Sequence, residues 1–141
     1  SRLDSLNAEV LKMRLKRLKK LIQRRRNNAN LYQKILNKTK EIQFINTSND
    51  RKDAFVMFIV LAEKRDKLQK YLLENNIESL VYYGTPLHLH KAAKILKYKK
   101  GDFPVAESQC KKVLALPHHQ HLTKDQIYYV AEKIKKFYSS S

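Results

Sequence analysis

Glycine and proline are the residues that most limit how this chain can turn, and they are both scarce and clustered. Two glycines and three prolines serve 141 residues, and all five lie between Ile77 and Pro117 together with two of the five histidines. Within that stretch Ile77 to Tyr83, rich in β-branched and aromatic residues, predicts a strand. Gly84-Thr85-Pro86 breaks it, because glycine permits unusual φ while proline fixes its own and removes a donor. Leu87 to Leu96 restarts as a short helix. Gly101-Asp102-Phe103-Pro104 is a second break, and Pro104 suits the first turn of a helix running to about Val113. Two aromatic residues and two histidines at a strand end, beside a turn, form a pattern from which ligand sites are often built.

Upstream the chain is regular. From Leu3 to about Asn37 neither glycine nor proline occurs. Apolar residues recur from Leu3, Leu6 and Val10 through Leu18 and Ile22 to Ala29, Tyr32 and Leu36, close to one face of a helix. The opposite face carries Lys12, Lys16, Arg17, Lys19, Lys20 and Arg24 to Arg26. A basic amphipathic helix can lie in a nucleic-acid groove or on a membrane surface, but so wide an apolar stripe favours packing on folded protein. Glu41 to Ile45 predicts a short edge strand and Thr47 to Asp50 a loop. Ala54 to Ala62 is almost unbroken apolar sequence and predicts a strand buried on both faces. Lys64 to Asn75 is a helix that Asn75-Asn76 ends, and Val113 to Leu116 is a further short strand. Thr123 caps the last helix, to about Tyr138, with Gln126 completing a capping box. The helices Lys64–Asn75 and Thr123–Tyr138 can cover one face of the central strand. The other face then needs the long first helix, or protein beyond this chain. Strand–helix–strand order permits parallel or antiparallel pairing.

Composition excludes more than it selects. A chain of this length can bury roughly 68–70 % of its unfolded surface, enough for a core. Net charge is +17, from 30 Lys+Arg against 13 Asp+Glu. That balance raises nucleic acid or an anionic membrane as partner. The lysines are nevertheless spread along the whole chain, as on a solvated surface. The single Cys110 excludes an internal disulfide and suits a reducing compartment. Its neighbours Ala106, Val113 and Leu114 favour core packing over nucleophile chemistry. No signal peptide opens the chain and no apolar run approaches the roughly 20 residues of a membrane span, so the expectation is cytoplasmic with no membrane partner. Two glycines leave no glycine-rich phosphate loop. His118, His119 and His121, with His88 and His90, invite a metal, but His-x-His without HExxH or a cysteine pair is a weak ligand signature and no metal site is expected. Tyr82, Tyr83, His88 and His90 remain as candidates. The tyrosines could simply pack with their hydroxyls bonded, and strand alternation sends Tyr82 and Tyr83 to opposite faces, so at most one meets a ligand.

Three segments carry a resemblance. V-Y-Y-G-T-P-L-H-L-H, G-D-F-P-V-A-E and L-A-L-P-H-H-Q-H-L-T-K-D-Q-I resemble, in order and spacing, the C-terminal part of the DegT–StrS nucleotide-sugar aminotransferases. Ser1-Arg2-Leu3-Asp4 looks like the family's Asn-Ser-Arg segment entered one residue late, and R-R-R-x-x-A-x-x-Y looks like its long connecting helix. The resemblance covers essentially the whole chain. It departs at the missing asparagine and at Gln120, where the family frequently has proline.

The resemblance implies an α+β fold: a long N-terminal helix (1–37) leading into a small, mainly antiparallel sheet covered by helices (38–141). This is the C-terminal domain of the aspartate-aminotransferase fold type. It implies pyridoxal phosphate as cofactor of the intact enzyme, a nucleotide-linked keto-sugar and an amino donor as substrates, and a homodimer. It places Arg2 near the cofactor phosphate of a neighbouring subunit, where a guanidinium's paired donors suit phosphate oxygens. It places Tyr83 and His88 at the substrate cleft, through the family's hydrophobic-Tyr-x-x-Pro-x-His pattern at Tyr83, Pro86 and His88. Transamination needs a Schiff-base lysine, and none here matches the family's motif. The expectation is therefore a domain inactive alone and binding no cofactor alone, with the N-terminal pyridoxal domain missing, whether by truncation, proteolysis or a split gene. The alternative is a basic module binding nucleic acid or an anionic surface through Lys12 to Arg26. Its signature would be binding that weakens steeply with salt.

Overall fold

Asp4 starts the first helix. Its carboxylate accepts a hydrogen bond from the Asn7 amide at 2.7 Å, satisfying one of the free donors of the first turn. With nothing to interrupt it, α1 then runs from Ser5 to Leu36. The computed structural model describes residues 4–45 and 51–140. β1 (Ile42–Phe44), β2 (Phe58–Ala62) and α2 (Arg65–Glu74) follow. Two 3₁₀ helices, Leu87–Leu89 and Lys91–Leu96, lead to α3 (Pro104–Lys112), β3 (Val113–Leu116) and α4 (Lys124–Ser139). The result is the expected α+β architecture. Among the described residues no helix is long and apolar enough to cross a membrane.

The three strands form one antiparallel sheet in the order β1-β2-β3. Register places Phe58 opposite Leu116, Val60 opposite Leu114 and Ala62 opposite Ile42, so one face is entirely apolar and buried. Onto that face pack Tyr32 and Leu36 of α1, Leu68 and Leu72 of α2, and Ile127 and Ile134 of α4. Tyr32 stacks on Phe58 with ring centroids 5.2 Å apart. The long helix thus lies on the same side as α2 and α4. The alternative in which it covers the opposite side is corrected: α3 lies against that other face.

Helix ends follow from particular residues. Asn76 adopts φ 60°, and the Ile77 and Asn76 amides reach back to the Leu72 and Leu73 carbonyls at 2.9 and 3.0 Å. That pair of bonds is a Schellman motif, with buried Ile77 and Leu72 as its apolar clasp. Thr123 and Gln126 form the predicted capping box of α4.

Two strand expectations were too long. The run Ala54 to Ala62 becomes a strand only at Phe58, because its partner β3 ends opposite that residue and Pro117 follows. Phe55 instead takes φ 45° and Val56 is exposed. Ile77 to Tyr83 is not a strand but touches β3 through one antiparallel bridge, Leu80 to Ala115. Extending that register would pair Tyr82 with Val113 and Glu78 with Pro117. The Val113 amide already donates to Gln109, and its carbonyl accepts from Arg65 at 2.9 Å. Pro117 has no amide proton to give. The ladder therefore stops after one rung. The helix expected over Leu87 to Leu96 is likewise two 3₁₀ helices, divided at His90 in extended conformation and burying no residue.

The two faces of β2 predict unequal costs. Phe58→Ala, beneath Tyr32, should lose about 3–5 kcal/mol in denaturant unfolding, while Ile59→Ala, on the half-covered face, should lose no more than about 2 kcal/mol. Equal losses would mean that both faces are packed alike.

Candidate functional site

The thinly covered face of the sheet holds a cavity of 610 Å³. Ile59 and Leu61 of β2 line it with Val113 and with Ala106 and Cys110 of α3, while Tyr83, Pro86 and His88 come from the broken segment. An apolar hollow with a few polar groups at its edge is the usual form of a small-molecule site. The two tyrosines go to different cavities, although the segment that carries them is not a strand. Tyr83 lines this cavity, and Tyr82 lines another of 840 Å³ bounded by His118, His119 and α4.

Tyr83 is 60 % exposed and its hydroxyl has no hydrogen-bond partner among the described residues. His88 is held tightly. Its Nε2 lies 3.0 Å from Glu107 Oε1, and its ring packs on Phe103 with centroids 4.8 Å apart. Glu107 Oε1 also accepts the Gly101 amide at 2.7 Å. That backbone bond, then His88, holds the Glu107 carboxyl below the usual carboxylate range. His90 donates from Nε2 to the Thr85 carbonyl at 3.2 Å, closing the turn before His88. Tyr83 and His88 therefore share one cavity. The third candidate, Arg2, lies outside the described residues.

Glu107 and Phe103 were given no role in the sequence reading. Both stand in G-D-F-P-V-A-E, and only the fold reveals that this segment returns to meet the histidine 19 residues before Glu107.

The loop after β3 is tied to the rest of the fold through His118 and its neighbours. His118 packs against both Phe55 and Phe58, 5.6 Å from the latter ring, and its Nε2 donates to the Arg25 carbonyl at 3.0 Å. His119 accepts through its carbonyl from Asn28, and Gln120 accepts from Arg25 at 3.0 Å. The loop that departs from the family pattern at Gln120 thus uses that residue to grip α1. Among the described residues no three metal-ligating side chains come together. The cavity holds neither lysine nor arginine. Every described lysine is exposed except Lys112, paired with Glu63, and Lys133, which sits over Tyr129. The described residues therefore do not fit a site for covalently held pyridoxal phosphate.

The sequence profile of the DegT/DnrJ/EryC1/StrS aminotransferase family matches residues 1–135. The chain belongs to this family. It is 36 % identical over 140 residues to the pleiotropic regulatory protein of Geobacillus stearothermophilus, covering 98 % of this chain and 38 % of that protein. It is 30 % identical over 137 residues to the dTDP-3-amino-3,6-dideoxy-α-D-galactopyranose transaminase of Aneurinibacillus thermoaerophilus, covering 97 % of this chain and 37 % of the relative. Among solved structures it superposes on Streptomyces venezuelae DesV, in complex with a ketimine intermediate, with TM-score 0.89 and 32 % identity over 96 % of this chain and 37 % of DesV. A DegT/DnrJ/EryC1/StrS aminotransferase of Brucella abortus gives TM-score 0.84 at 30 % identity. The chain thus spans little more than a third of these relatives. Its fold is that of the C-terminal domain of pyridoxal-phosphate-dependent family members.

Burial depresses the pKa of His118 below its ordinary value of 6.5, and the nearby Arg25 charge adds to this, while the bond to the Arg25 carbonyl opposes it. A lowered folded-state value means that the unfolded chain binds more protons. This contribution to stability is complete above pH 6.5 and declines as pH falls toward the folded value. Unfolding followed between pH 7.5 and 5 should steepen through this window, and His118→Phe, which keeps the ring stack, should flatten the slope. An unchanged slope in the variant would exclude His118 as its source.

Proposed function

We propose that this chain is the C-terminal small domain of a pyridoxal-phosphate-dependent aminotransferase acting on a nucleotide-linked keto-sugar. Residues 1–37 form its connecting helix, and 38–141 form the sheet and its covering helices. The domain helps to close the cleft over the substrate and packs at a homodimer interface, with Arg2 near the cofactor phosphate of the neighbouring subunit. The amine and ring contacts of the cofactor come from outside this chain, which by itself neither transaminates nor binds pyridoxal phosphate. Relatives named as transaminases of dTDP-linked amino sugars support the substrate class. The observation that carries the reading is the cavity that Tyr83 and His88 both line, with the Tyr83 hydroxyl unpartnered among the described residues. A phenol and an imidazole at one mouth can meet sugar hydroxyls or a diphosphate.

The test belongs in the full-length enzyme. Tyr83→Phe removes one exposed hydroxyl and should raise KM or lower kcat without moving Tm. His88→Ala should impair kinetics and also lower Tm somewhat, because it breaks the contact with Glu107. Unaltered kinetics in both variants would remove these residues from the substrate site.

The packing role has its own measurement. Leu6, Leu11, Met13, Leu15 and Leu18 stand exposed along α1, apolar side chains without cover among the described residues. The isolated chain should therefore self-associate with rising concentration, and Leu11→Lys with Leu18→Lys should reduce that association. A monodisperse monomer at high concentration would count against it.

A further inference from the structure

Glu107 has more structure built around it than any other polar group near the cavity. It stands in the first turn of α3 and its side chain is 12 % exposed, against 7 % for His88. Its Oε1 receives both the Gly101 amide and His88 Nε2. Gly101 has φ 101°, a conformation strained for any residue with a β-carbon, although such a carbon would meet nothing within 4 Å. Glycine is thus needed there for backbone direction and not for space. Phe103 packs on the His88 ring, and Tyr98 meets Phe103 edge-on at 5.0 Å. His88 lines the cavity and Glu107 does not.

An ionised carboxylate only accepts hydrogen bonds, so the imidazole nitrogen facing it must carry the proton. The neutral ring then keeps its lone pair on Nδ1. We propose that Glu107, anchored by the Gly101 amide, is a positioning residue that fixes His88 as the Nε2–H tautomer and so presents Nδ1 to the cavity as an acceptor for a hydroxyl-bearing ligand. Tyr83 on the same cavity can donate, so the pair matches a sugar hydroxyl that gives one hydrogen bond and takes another. The ligand assignment rests on the reading of His88 as a substrate contact, whereas the tautomer can be measured without any ligand.

The experiment is nitrogen-15 NMR of the histidine side chains in the 141-residue chain at about pH 8.5, roughly two units above the ordinary histidine value. The expected result is a protonated Nε2 and a bare Nδ1 at His88, with the Nε2 proton exchanging at least about tenfold more slowly than that of exposed His121. Glu107→Gln keeps an acceptor oxygen and should keep both features, whereas Glu107→Ala should abolish the slow exchange. If Glu107→Ala does not fold, Glu107→Asp withdraws the carboxylate by one methylene and should lose most of the protection. A proton on Nδ1 in the wild type, or exchange equally slow in Glu107→Ala or Glu107→Asp, would overturn the proposal. Intact kinetics in full-length His88→Ala, with the Nε2–H tautomer observed, would remove the substrate contact and leave the positioning by Glu107 standing.

Discussion

A phenol hydroxyl cut off from water must find an acceptor, and the one on Tyr32 determines how helix and sheet are joined. The residue is fully buried and donates to the Pro117 carbonyl at 3.0 Å while its ring lies on Phe58. Burial drives its pKa upward, so the hydroxyl remains a donor. Because Pro117 directly follows β3, this one side chain ties the end of that strand, the start of β2 and the last third of α1. The adjoining loop adds to it: His118 packs on Phe58 and bonds Arg25, Gln120 receives Arg25, and His119 receives Asn28. Two turns of α1 are thereby pinned, and the apolar residues before them are left without cover among the described residues.

Strand length in this sheet is set by hydrogen-bond supply and not by hydrophobic sequence. β3 is four residues long because α3 runs straight into it and Pro117 closes it. β2 accordingly begins only at Phe58, opposite Leu116, and the 77–83 segment gains a single rung at Leu80. Arg65 is instructive, since its guanidinium is almost wholly buried yet bonds the Val113 carbonyl and pairs with Asp66 at 2.6 Å. A buried cation needs such partners. In meeting that need, Arg65 also takes the carbonyl that would have extended the pairing to Tyr82.

What the sequence made legible follows from the same distinction. Periodicity and caps are local, and they located α1, α2 and α4 to within a residue or two, with Thr123-Gln126 and Asn75-Asn76 as the punctuation. The family motifs led to the α+β class and brought Tyr83 and His88 to one cavity. The strands over 54–57 and 77–83 failed because β-propensity says nothing about whether a partner edge is free. The side on which α1 packs was equally invisible, since an apolar stripe states that a helix is covered and not by what. Glu107 was missed for a related reason: its significance is a contact across the Gly101 turn, and a lone glutamate on a helix carries no local mark.

The cavity has a physical origin in the unequal cover of the two sheet faces. Helices α1, α2 and α4 present regular stripes of side chains that pack onto Phe58, Val60 and Leu114. The reverse face receives α3 and two 3₁₀ helices that bury no residue, and such elements cannot fill the space above Ile59 and Leu61. Polar groups gather at this gap because the segment crossing it is irregular, and irregular backbone can aim side chains where a strand could not. They are not aimed with equal firmness. His88 is fixed through ring packing and a carboxylate, whereas Tyr83 stands on the far side of Gly84 with its hydroxyl unpartnered among the described residues. One group is thus preorganised and the other is free to adjust. A site of that kind fixes the direction of one hydrogen bond and lets the second accommodate the ligand.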